Sequence, residues 1–228
     1  MRTVRIVTLL VTALLVGPSL AQQVVVPNIN ANQAGPSNQA FPWNHGDMRY
    51  QQVYAADQFG SLSGLITQFA YRVDEQWGTA FVSNPITCEI RFSTTQAGPN
   101  NLNPVFAANI GPDETLVWSG PLTLKSGGNW QVFDIVVDVN DVFSYEPTKG
   151  NLLMDIKVFG AANTTQFDAA GTGLGQGGTP WTDRLWALGV NSTTGSSSGD
   201  DGMVTQFTFI PEPTTAMLLL ALAALRRR

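Results

Sequence analysis

Apolar and polar residues alternate with a period of two along most of this 228-residue chain, the spacing of a strand with one buried face. The stretch ITCEIRFS puts Ile86, Cys88, Ile90 and Phe92 on one side and Thr87, Glu89, Arg91 and Ser93 on the other. MRYQQVY alternates Met48, Tyr50, Gln52 and Tyr54 against Arg49, Gln51 and Val53. LITQFAYRV sets Leu65, Thr67, Phe69, Tyr71 and Val73 against Gln68 and Arg72. QVFDIVVDV directs Phe133, Ile135, Val137 and Val139 inward and Asp134 and Asp138 outward, and NLLMDIKVF directs Leu152, Met154, Ile156 and Val158 inward. ETLVWSG, GPLTLKSGG, DRLWALGV and VTQFTFI read as further strands, separated by Gly, Pro, Asn and Asp clusters. Helical spacing is confined to one turn near 55–62. The pattern predicts an all-β protein: a single antiparallel β-sandwich over 47–210, preceded by an extended piece at 24–26 and a loose lead-in completing 22–46. The connections are long, and the Cys…Trp…Cys spacing of immunoglobulin domains is missing, so the expected arrangement is jelly-roll-like.

The two ends break this pattern. Residues 1–21 carry Arg2 and Arg5, then an apolar run over 6–16, then the small-x-small triplet Ser19-Leu20-Ala21. That order is a secretory signal peptide, cut between Ala21 and Gln22. At the other end Pro211, Glu212 and Pro213 precede ten consecutive apolar residues, 216–225, and the chain finishes on Arg226, Arg227 and Arg228. A helix of that length spans roughly 15–18 Å, short of a hydrocarbon core of about 30 Å. The prolines stop a strand or helix from running into it, and the arginines would stay on the cytoplasmic side. Short hydrophobic helices are therefore expected at both termini.

Proline-bracketed glutamate, short apolar helix and arginine cluster, in that order at 211–228, resemble the PEP-CTERM sorting signal. The resemblance implies recognition and processing by an exosortase-type membrane enzyme, transient residence in the inner membrane, and a destination at the cell surface or in the extracellular matrix. It implies no activity. The body is also similar to ectodomains that precede such tails, through RYQQVY at 49–54, RFSTT at 91–95 and GNLLMDI at 150–156.

Charge agrees with this partition. Between Gln22 and Pro213 there are 7 basic and 17 acidic residues, an acidic body unsuited to nucleic acid. Cys88 is the single cysteine and His45 the single histidine, so neither an internal disulfide nor a zinc site is available. Stability must come from the core.

The chemistry-bearing residues point away from catalysis. A Ser-His-Asp triad would have to use His45, with Asp47 two residues on, in a loose segment. The G-x-S-x-G string at 195–199 falls within the Ser/Gly stretch 192–202 and not at the strand-to-helix turn that a nucleophile elbow requires, and no carboxylate pair stands out for glycoside hydrolysis. The glycine run at 171–181 leads to Pro180 and a strand rather than to a helix, so it reads as a loop, and the Ser/Gly stretch 192–202 reads as a linker. No cofactor is expected. The one metal the loops suit is structural calcium, with Asp138, Asn140 and Asp141 as an oxygen-rich turn and weaker clusters at Asp113–Glu114 and Asp200–Asp201. Of the six tryptophans, Trp43, Trp77, Trp130 and Trp181 fall in loops or at strand edges, while Trp118 and Trp186 read as core. An exposed indole stacks on a pyranose face, so Trp77, Trp130 and Trp181 are candidate sugar contacts. Two functions are consistent with these features: a non-catalytic surface or matrix protein, or a carbohydrate-binding module, associated with exopolysaccharide, carrying the same tail.

Overall fold

Four strand pairs of this chain are nested one inside another. In the computed structural model, which describes residues 20–171, 181–197 and 201–211, β1 (Gln22–Val26) pairs with β15 (Thr205–Pro211). Inside that pair, β3 (Met48–Tyr54) joins β10 (Asn151–Phe159), and β4 (Gly64–Tyr71) joins β9 (Ile135–Tyr145). Innermost, β6 (Ile86–Thr95) joins β7 (Thr115–Leu122). All four pairs are antiparallel. Rolled up, they give two sheets with strand orders β1-β15-β4-β9 and β3-β10-β6-β7. That is the jelly-roll order, and the fold is an all-β antiparallel sandwich. The second sheet is widened at β3 by β12 (Thr182–Leu188) and β13 (Ser196–Ser197). Two small sheets complete it: β2 (Ser37–Gln39), β11 (Phe167–Ala170) and β14 (Gly202–Met203), and the pair β5 (Phe81–Val82) with β8 (Lys125–Ser126). The turn near 55–62 is a 3-10 helix, Ala56–Phe59. The predicted terminal helices lie outside the described residues.

The core between the sheets is aromatic. Phe69 of β4 meets Phe92 of β6 edge-on at 5.8 Å, and Tyr54 of β3 meets Phe207 of β15 at 4.9 Å. Tyr54 and Tyr71 direct their hydroxyls toward the Met154 sulfur at 3.9 and 3.3 Å. Each such ring, fully buried, contributes about 1.5–3 kcal/mol. Cys88 faces this core as its alternation requires. Burial, reinforced by Glu89, pushes its thiol up to about 12.

Several details depart from strict alternation. Thr67 is an extra residue that bulges β4 against β15, while on the other side residues 139–142 of β9 stand opposite it, and Ile66 enters the core whereas Leu65 and Thr67 do not. Residues 22–46 are no loose lead-in: they supply β1 and β2, and Trp43 is fully buried. Phe133 precedes β9 and packs outside the main core with Val25, Ala170 and Val204. The stretch 192–202 is not merely a linker, since it contains β13 and the start of β14.

The outer faces are partly covered as well. On the wider sheet, the 3-10 turn Phe106–Asn109 caps a polar knot. Arg49 donates to Asp155 at 2.7 Å, Gln51 donates to Asp155 at 2.7 Å and to the Phe106 carbonyl at 3.1 Å, and Asn109 donates to Gln51 at 3.0 Å. On the narrower sheet Arg72 and Asp168 form a fully buried pair at 2.7 Å. Arg72 also donates to the carbonyls of Asn30 and Gln33, and the Gly35 N–H donates to Asp168 at 2.8 Å. The guanidinium lies 4.7 Å from the Phe133 ring centroid and 5.6 Å from that of Trp130. One ion pair thus fastens the 30–35 segment, β4 and β11 together.

Two outcomes are expected. At pH 8 Cys88 should resist a polar aromatic disulfide reagent in the native protein and react at once in denaturant; rapid native labelling would refute its buried position. Removing Asp168's carboxylate leaves Arg72 buried and uncompensated, so Asp168→Ala should cost about 3–5 kcal/mol in urea unfolding. Burial raises the Asp168 carboxyl to about 6, partly offset by Arg72 and the Gly35 N–H, with Asp74 adding to the rise. The native state therefore holds a proton that the unfolded chain releases near pH 4. That contribution is present at low pH and lost as pH rises through about 6. The stability of wild type relative to Asp168→Asn should accordingly grow as pH falls from 7 to 5; a constant difference would contradict the raised value.

Candidate functional site

The most exposed aromatic side chain in the described structure is Trp77, with 59% of its surface open to solvent. It stands on a turn that directly follows the end of β4. Asp74, itself buried, accepts hydrogen bonds from the backbone N–H groups of Gln76 at 3.0 Å and Trp77 at 2.6 Å. The Gly78 N–H returns to the Asp74 carbonyl at 3.0 Å. This is an Asx turn, in which a short carboxylate replaces a backbone acceptor and holds the loop in one shape. A side chain at Gly78 would collide with Asp74's carbonyl and with Val73, so only glycine allows the return.

Two hydroxyls and a second loop brace the turn. Thr165 donates to the Trp77 carbonyl at 3.4 Å, accepts from the Thr79 N–H at 3.0 Å and lies 3.2 Å from the Thr79 hydroxyl. Beyond Thr79, Ala80 abuts Gly128, where an added Cβ would lie 2.6 Å from the Ala80 nitrogen; Gly128 also takes a φ of +81°. The loop 127–134, with Asn129 and Gln131 exposed, is thereby pressed against the Trp77 turn.

The other tryptophans have different surroundings. Trp130 is half-buried, packed on the core with Arg72 over its ring. Trp181 is half-buried at the opposite end of the wider sheet. Its carbonyl accepts from the Ala55 N–H, just past the end of β3, whereas Trp77 contacts Thr165, in the loop that leaves β10 beside the start of β3. The seven residues of β3 separate those ends by about 20 Å, so Trp77 and Trp181 do not share a platform. Trp43, expected at an edge, is fully buried, while Trp118 and Trp186, expected in the core, are half-buried; Trp186 stacks on Phe41 at 4.8 Å.

Asp138, Asn140 and Asp141 do not form a turn. They lie within β9, on its exposed positions, where its register against β4 is irregular. Asp138 accepts from Gln68 at 2.7 Å. Asp113 accepts from the Thr94 N–H at 2.7 Å, and Asp201 faces Arg184 at 3.3 Å. Among the described residues no group of three or more His, Cys, Asp or Glu side chains could hold a metal ion. His45 is exposed and rests on Phe41 at 4.1 Å, while Asp47 accepts from the Gly160 N–H at 2.9 Å. Partial burial, and then the Arg184 charge, lower the His45 imidazole below its ordinary value. Of the glycine run, 172–180 lies outside the described residues, as do Glu212, Pro213, Arg226, Arg227, Arg228 and Asp200.

The chain matches no protein-family model, no curated protein and no solved structure. Its site is therefore read from its own geometry alone. The supporting residues Asp74, Thr79 and Thr165 were not singled out in the sequence. The one legible signal was Asp74 followed three positions later by Trp77 and Gly78, an Asx-turn spacing.

Acrylamide quenching checks the arrangement. Trp77→Phe should remove most of the quenchable fluorescence of the native protein, and Trp181→Phe should remove much less. Equal losses would show that the indoles are comparably exposed.

Proposed function

We propose that this is an exported cell-surface or extracellular-matrix protein without catalytic activity, sorted through its C-terminal PEP-CTERM-type signal by an exosortase-type enzyme at the inner membrane. The observation that carries the reading is the three-part order at 211–228: proline-bracketed glutamate, ten-residue apolar run and arginine cluster.

The fold is compatible with it in two ways. The first strand begins at Gln22, the residue after the expected signal-peptide cut, and the last described strand ends at Pro211, where the tail motif starts. Those strands are neighbours, with Gln22 opposite Phe209. Gln22 and Pro211, the boundaries of the two proposed signals, therefore lie at one end of the narrower sheet. The described core residues all lie between them.

Deleting 212–228 should leave export intact and abolish retention at the cell envelope, so that the protein appears in the medium. Replacing Arg226, Arg227 and Arg228 by serine should weaken membrane retention before processing, because the positive stop is gone. Mass spectrometry of the mature wild-type protein should find residues 218–228 missing. A mature chain that still carries Arg228 would overturn processing of the tail.

A further inference from the structure

We propose that the Trp77 turn is a binding site for a neutral polysaccharide of all-equatorial pyranoses, with the indole stacked on one sugar ring. This stands on the site's geometry and does not depend on how the protein is sorted.

The ring is exposed and the backbone that carries it is fixed. Its turn is tied by the Asp74 carboxylate, by the Gly78 return and by the Thr165 hydroxyl on its carbonyl. A preorganised aromatic loses little freedom on binding, which is what a weak stacking contact requires. The exposed residues that flank it on the turn, Glu75, Gln76 and Thr79, are polar. A protein-binding hot spot needs a surrounding rim that excludes water. A single flat ring among hydroxyl, amide and carboxylate groups instead matches a sugar, whose C–H face is apolar and whose edge carries hydroxyls. Thr79 and Thr165 add hydroxyls at the turn, and Asn129 and Gln131 are exposed amides on the loop whose Gly128 abuts Ala80.

Charge and stereochemistry narrow the class. The body holds 17 acidic against 7 basic residues and Glu75 lies on the turn itself, so uronate or sulfate chains are repelled. Equatorial hydroxyls leave only axial C–H bonds on the pyranose faces, and a β-1,4-linked glucan therefore offers the flattest apolar surface to an indole.

The test titrates the full chain, in a detergent without a sugar headgroup, with cellohexaose and with oligogalacturonate, followed by tryptophan fluorescence and calorimetry. Cellohexaose should perturb the fluorescence. Binding should weaken about tenfold in Trp77→Ala, the loss of one stacked ring, with most of it kept in Trp77→Phe and all of it in Trp181→Ala. Unchanged circular dichroism of Trp77→Ala separates lost binding from lost folding. Absence of cellohexaose binding, or binding indifferent to Trp77→Ala, overturns the site. Equal binding of oligogalacturonate overturns the assignment to a neutral chain.

Discussion

The position of one strand governs this structure. β15 lies between β1 and β4, so the narrower sheet cannot close until the strand that immediately precedes the tail motif is in place. Phe207 and Phe209 of β15 enter the common core, and the Thr205 hydroxyl lies 2.9 Å from that of Tyr54 on the opposite sheet. The other three pairs of the nested set lie within the join of first strand to last. Such long-range pairing must offset loop-closure entropy before it is rewarded, which favours slow, late closure.

Stability is supplied without disulfides, from an aromatic core and buried charge. Arg72 and Asp168 are the clearest case, since both are withdrawn from water and joined to backbone groups of the 30–35 segment. A buried pair of this kind adds little net stability over an apolar one, but losing one partner is expensive. Here it fixes how the first residues of the body lie across the outer face of the narrower sheet. The Arg49–Asp155–Gln51 knot does the same for the 3-10 turn on the wider sheet. Open edges are blunted by Pro121 on β7 and by the irregular, acidic middle of β9.

The principal strands were legible because each has one face in the core. ITCEIRFS and NLLMDIKVF keep their predicted registers throughout. Alternation fails where the chain adds a residue, as at Thr67, because an inserted residue exchanges the two faces without changing composition. It fails again for β2, β5, β8, β13 and β14, each too short to show a period. Asp155, in the middle of an apolar strand, marked a covered outer face that pairwise alternation alone assigned to solvent. For the site, residue type identified Trp77 as a candidate, but only the fold separates it from Trp130 and Trp181. Exposure and strand ends are tertiary properties. The bracing by Thr165 joins positions 88 residues apart.

β15 is the last described strand, and the described core residues all precede the tail motif. Thermal unfolding of two truncated chains, one ending at Pro211 and one at Val204, tests the governing place of β15 most directly. The chain ending at Pro211 should keep the β-rich circular dichroism and melting temperature of the full protein. The chain ending at Val204, without β15, should lose cooperative unfolding. Cooperative melting of the shorter chain near the full-length temperature, or collapse of the longer one, would contradict the account.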